Sequence, residues 1–169
     1  PKMWLRGNVK EIGQYDIEEQ VQADYGLPKG CEIVAKCEQK RYDGDRISLL
    51  RPSYKYSCFD LLKVILHEIG HANDWISNGF LSLDERRKLL LAVIERVRSK
   101  DRWQSWYVES IKNKDPKKEL HIKATEYWAE ICSEYFRNPK NLHINDFRII
   151  NELVNKFDPG FTPVGDFKM

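Results

Sequence analysis

Two observations predict an α+β fold. Strand patterns come first, as a small N-terminal sheet, and helical patterns fill a mostly helical C-terminal half. Residues 16–25 carry weak helical character and end at Tyr25-Gly26-Leu27-Pro28, a helix stop followed by a turn. Residues 32–38 read as a strand, with Ile33 and Val34 on opposite faces. Tyr42-Asp43-Gly44-Asp45 is a turn signal, and residues 47–50 form a second short strand ended by Pro52. A helix over 59–76 stops near Asn78-Gly79, with Leu62, Ile65 and Ile69 at core spacing. Ser82-Leu83-Asp84-Glu85 is a capping box that opens a helix through about Arg98. A short helix is expected in 102–112, followed by helices over 118–136 and 143–157, where Asp158-Pro159-Gly160 stops the last. Repeats and low-complexity segments are absent from the sequence, so residues 1–169 are expected to form one domain.

Composition excludes several classes. The 169 residues are 41% hydrophobic and 32% charged, which is enough to bury a sizeable core. A net charge of +2, with basic residues interspersed among acids, gives no argument for nucleic acid or an anionic membrane. No apolar run approaches the roughly 20 residues of a membrane span. The opening residues Pro1-Lys2-Met3-Trp4-Leu5 carry no signal-peptide pattern, and a chain starting at Pro1 is expected to be an excised domain or a processed product. Cys31, Cys37, Cys58 and Cys132 follow no metal or redox spacing. Cys132 reads as core, and the expectation of free thiols leans towards a reducing compartment. Oligomeric state leaves no mark on the sequence.

His67-Glu68-Ile69-Gly70-His71 has the spacing of a metal site. At 3.6 residues per turn, positions i and i+4 lie one above the other, so both imidazoles can aim at one ion. Glu68 sits on a neighbouring line of the same side, from which it reaches a water on the metal without being a ligand. Asp74 falls on the face of the two histidines. An ordinary buried helix with satisfied histidines is the bland alternative, and a third ligand decides between them.

A catalytic zinc takes three protein ligands and keeps one position open. A third histidine six residues after His71 would mark the metzincin pattern, but that position is Ser77. Further on, Glu126, Glu130 and Glu134 stand at i, i+4 and i+8, each repelling the next by about 0.2–0.5 kcal/mol on an isolated helix. Ala124, Tyr127 or Trp128, Ile131 and Tyr135 form the opposite, apolar face. A carboxylate column beside a buried aromatic face needs open water or a cation. A solvated stripe helped by Lys123 and Arg137 is the plain reading; the upstream HExxH segment tips it towards a metal near Glu126, with Glu130 one turn on accepting from a ligating histidine.

With these motifs the chain resembles the gluzincin metallopeptidases, and within them the anthrax lethal factor catalytic domain and the Pro-Pro endopeptidases. His67-Glu68-Ile69-Gly70-His71-Ala72-Asn73-Asp74 is similar to that family's HExGHAxD, and Glu126-Tyr127-Trp128-Ala129-Glu130 to its E-[FY]-aromatic-A-E segment. Arg46 to Ser53 resembles the strand before the active-site helix. The resemblance, over about residues 40–157, implies a zincin-like fold, one zinc ion per chain, and a secreted setting. It implies His67, His71 and Glu126 as ligands, Glu68 as catalytic base, and Glu130 and Asp74 as supports. It also implies endopeptidase activity on a protein or peptide lying antiparallel to residues 47–50. The family's oxyanion-stabilising tyrosine, seven residues before the ligand glutamate, is replaced by Glu119, which leaves Tyr107 and His121 as candidate donors. The interval from His71 to Glu126 exceeds the family's usual one, marking 102–112 as a candidate insertion.

The expected function is zinc-dependent hydrolysis of an extended protein substrate. Trp103, Trp106 and Tyr107 are expected in the core more than in substrate subsites. One rival is a zinc-binding interaction module of the same fold with weak or no catalysis, which the missing tyrosine supports and the intact Glu68 opposes. A deformylase-like amidase would use an upstream cysteine, but Cys58 lies roughly 13 Å along the helix axis from His67.

Overall fold

A computed structural model describes residues 9–15, 35–38, 45–50, 58–76, 78–99, 101 and 105–163. Three strands, β1 (Val9–Tyr15), β2 (Ala35–Glu38) and β3 (Asp45–Leu50), form a sheet in the order β1-β3-β2. β3 is central, parallel to β1 and antiparallel to β2, with Cys37 opposite Ile47. Its two edges are therefore both occupied. The expected strand at 32–38 is seen from Ala35 on; Ile33, Val34 and the expected helix over 16–25 lie outside the described residues. β1 was not expected, because its apolar residues Val9, Ile12 and Tyr15 recur every third position. A register shift between Val9 and Glu11 brings Val9 and Ile12 opposite Asp45 and Ile47, two residues apart on β3, while Tyr15 pairs with Leu50 in regular register.

The C-terminal half is mostly helical: α1 (Cys58–Ala72), α2 (Leu83–Arg98), α3 (Trp106–Ser110), α4 (Pro116–Arg137) and α5 (Ile144–Phe157). α1 stops four residues short of the expected Ile76. Asn73 Nδ2 donates to the Ile69 carbonyl at 2.8 Å, and Asp74 Oδ1 accepts from the Ile76 amide at 2.7 Å. Such side-chain bonds offer the backbone an alternative to the next helical turn. The capping box of α2 is present, with Ser82 and Glu85 satisfying each other's backbone amides. α4 begins earlier than the apolar spacing implies because Asp115 caps it and Pro116 suits its first turn.

α4 is the centre of the helical half, packing on α1, α2, α3 and α5, while α1 also lies against β2 and β3. Tyr127, Trp128, Ile131 and Tyr135 are fully buried, and Cys132 is core as expected. Each large aromatic buries on the order of 150–250 Å² and dominates the apolar contribution here. Leu62 departs from its expected core role and is 46% exposed. So do Trp106 and Tyr107, 75% and 41% exposed; the five-residue α3 turns only Val108 inward, and Trp103 lies outside the described residues. Among the described residues, no helix is long and apolar enough to cross a membrane.

Candidate metal centre

α1 and α4 approach so closely at one point that only glycine fits. A Cβ on Gly70 would lie 2.7 Å from the Ala129 Cα and 3.1 Å from the Cys132 Cβ. Two hydrogen bonds fasten the helices on either side. Trp128 Nε1 donates to the Gly70 carbonyl at 3.0 Å, and Ser133 Oγ donates to the Lys63 carbonyl at 3.0 Å. This clamp sets which face of α4 meets the two histidines.

The result is a convergence of three donor atoms. Glu126 Oε2 lies 3.3 Å from His67 Nε2 and 3.5 Å from His71 Nε2, and the two Nε2 atoms are 3.1 Å apart. His67, His71 and Glu126 form a group that can hold a metal ion, with one ligand atom each, all within 4.8 Å of one another. No other such group occurs among the described residues. Each side chain is mostly shielded from water.

The electrostatics follow from this crowding. Burial opposes charge on His71, but the Glu126 carboxylate outweighs it and pushes the imidazole up to about 9. Burial alone would raise Glu126, yet the two imidazoles hold it well below the usual carboxylate range. Glu68 is buried and not a member of the ligand group. Burial raises its carboxyl, against the lowering influence of His67, His71 and a hydrogen bond from the Cys37 backbone amide of β2.

Glu130 stands one turn beyond Glu126, on the far side of the His67 ring. Its Oε1 lies 3.9 Å from His67 Nδ1, an ion-pair approach longer than a hydrogen bond. Glu134, third in the column, is buried and takes Arg137 and Asn141 as partners. The three carboxylates thus have separate surroundings, and burial of Glu130 and Glu134 overturns the solvated-stripe reading. Asp74 is fully buried and raises the proton affinity of His71 through its charge. Of the two candidate oxyanion donors, neither belongs to the ligand group: His121 is exposed, its ring 5.9 Å from that of Trp75, and Tyr107 is exposed on α3. Glu119, seven residues before Glu126, is bound to Lys123 and the Asn113 amide.

Sequence reasoning missed the Cys37 amide and the Trp128 and Ser133 fasteners. A backbone donor leaves no compositional trace, whereas Gly70 inside an apolar helix was a legible sign of close approach.

Gly70→Ala tests the clamp. An alanine gains about 1 kcal/mol of helix propensity, while overpacking costs typically about 1–3 kcal/mol. Since the obstructing atom is backbone, the helices must separate, and a net destabilisation of about 1–2 kcal/mol is expected by denaturant titration. Unchanged or increased stability would show that α1 and α4 part freely.

Comparison of the chain with family models, curated proteins and solved structures returned no match in any of the three.

Proposed function

We propose that the chain is a zinc-dependent endopeptidase of zincin-like fold that hydrolyses peptide bonds of an extended protein substrate. The observation that carries this reading is the convergence of His67, His71 and Glu126 with Glu68 buried beside them but outside the ligand group. The donor set fits zinc. A tetrahedral ion with bonds of about 2.0–2.1 Å has ligand atoms roughly 3.3 Å apart, against the 3.1, 3.3 and 3.5 Å found. His67, His71 and Glu126 would hold the ion with two imidazoles and one carboxylate, the three-ligand donor set of catalytic rather than structural zinc sites. Zinc supplies Lewis acidity and brings the pKa of water down to about 7.

The protein's own residues supply the rest. Glu68, with its carboxyl raised by burial, takes the proton of the attacking water and returns it to the leaving amine. The Cys37 amide orients it for that transfer. Because β3 is paired with both β1 and β2, this reading moves the extended peptide from residues 47–50 to a neighbouring strand. β2 borders only β3 among the described residues, and its Cys37 amide faces Glu68. Strand addition along β2 therefore brings a peptide bond to the base.

Two measurements test the reading. Elemental analysis of protein purified without added metal is expected to find about one zinc per chain, the content of a three-ligand site. Less than about a tenth of an equivalent, with no uptake on titration, would remove the site. Glu68→Gln is expected to keep its zinc and lose at least about 10²-fold in peptide-library cleavage read by mass spectrometry. A wild type that binds zinc and cleaves nothing would leave the interaction module as the better description.

A further inference from the structure

We infer that Lys63 is a positioning residue of the metal centre, acting on His67 through Glu130. The inference rests on the proposed zinc site. Lys63 and His67 are one turn apart on α1, and Glu130 reaches between them from α4. Its Oε2 lies 3.9 Å from Lys63 Nζ and its Oε1 lies 3.9 Å from His67 Nδ1. Glu130 is buried, and its Oε2 has no hydrogen-bond partner. A carboxylate in that state needs a counter-charge, since desolvation without pairing is costly. Among the described residues, Lys63 and His67 are the basic groups within ion-pair reach.

The backbone places Lys63 for this role. Its carbonyl accepts from Ser133 Oγ, which stands three residues after Glu130, so the same turn of α4 is tied to the same turn of α1. The ammonium, on a partly exposed side chain, draws Oε2 outward. The other oxygen is thereby turned towards Nδ1, and the His67 ring is held with Nε2 facing Glu126 and His71. Outer partners of ligating histidines act in this way, by fixing ring orientation and raising basicity. Lys63 is one step further out, and water screens it, so its effect is smaller than that of Glu130.

A double-mutant cycle on the full chain tests this. Zinc affinity is measured by competition with a chromophoric chelator for the wild type, Lys63→Met, Lys63→Gln, Lys63→Arg, Glu130→Gln and Lys63→Met/Glu130→Gln. The neutral variants are expected to bind zinc about three- to tenfold more weakly, below the 10–100-fold of a direct partner of the ligand. Lys63→Arg restores affinity to within about twofold, because it keeps the charge. In the Glu130→Gln background, removing Lys63 has no further effect. The metal-free thermal midpoint stays unchanged in every Lys63 variant that shows the loss, which separates positioning from folding. Wild-type affinity in both neutral variants, or an equal loss with Glu130 already replaced, overturns the inference while the zinc centre stands. A wild type that takes up no zinc overturns both.

Discussion

Glu126→Ala is expected to lose zinc at chelator concentrations where Glu130→Ala still retains it. The two carboxylates are equivalent in a helical column, but the structure places them on different nitrogens. Glu126 Oε2 faces both Nε2 atoms, at 3.3 and 3.5 Å, whereas Glu130 Oε1 faces Nδ1 of His67 alone, at 3.9 Å. In the proposed zinc site, removing Glu126 would leave two histidines as protein ligands and uncover a larger share of the coordination sphere. Removing Glu130 would leave that proposed ligand set complete and loosen one ring, a change that typically costs about 10–100-fold in affinity or activity. Glu126→Ala is expected to exceed that loss by at least about tenfold, since a three-ligand site becomes a two-ligand one. The opposite order would exchange the two roles. Equal, unchanged affinities would take the third ligand away from α4's acidic column altogether.

The largest effect on stability is expected at the junction of α2 and α5. Arg96 Nε and Nη2 donate to the two carboxylate oxygens of Asp146 at 2.8 and 3.2 Å, and both residues are buried. Asp146→Ala leaves the guanidinium buried without its bidentate partner. Asp101 still accepts from Nη1 at 3.1 Å, but that residue is exposed. Breaking a buried pair from one side costs about 3–5 kcal/mol, and the exposed Asp101 places the expectation near the lower end. The denaturant midpoint should fall with its slope unchanged, and the thermal midpoint should drop by roughly 6–12 °C. Replacing both partners, as Arg96→Met with Asp146→Leu, should recover most of the loss, because no uncompensated charge remains. A change below about 1 kcal/mol in Asp146→Ala would mean that solvent reaches the guanidinium.

Local signals carried much of the architecture. The i,i+4 histidines on α1, the Ser82–Glu85 capping box and the buried aromatic face of α4 all lie within a few residues of chain, where the 3.6-residue period decides which side chains share a face. The same locality explains the errors. β1 carries its apolar residues at a spacing of three, which a register shift accounts for only between Val9 and Ile12, and a five-residue helix proved too short to bury Trp106 and Tyr107.

From the sequence alone came His67 and His71 on one face of a helix, Glu68 beside them, and a later helix with acids in a column. That much follows from helical periodicity. Which acid meets the histidines was decided by tertiary structure, because the approach of α1 and α4 depends on Gly70 lying against Ala129 and on Trp128 reaching the Gly70 carbonyl across 58 residues. Tertiary structure also put the Cys37 amide of β2, which borders only β3 among the described residues, on Glu68, and brought Arg96 to Asp146 across 50 residues. Periodicity orients a side chain about its own helix or strand axis. It holds no information on which distant surface that side chain will face, and steric fit between complete elements supplies it.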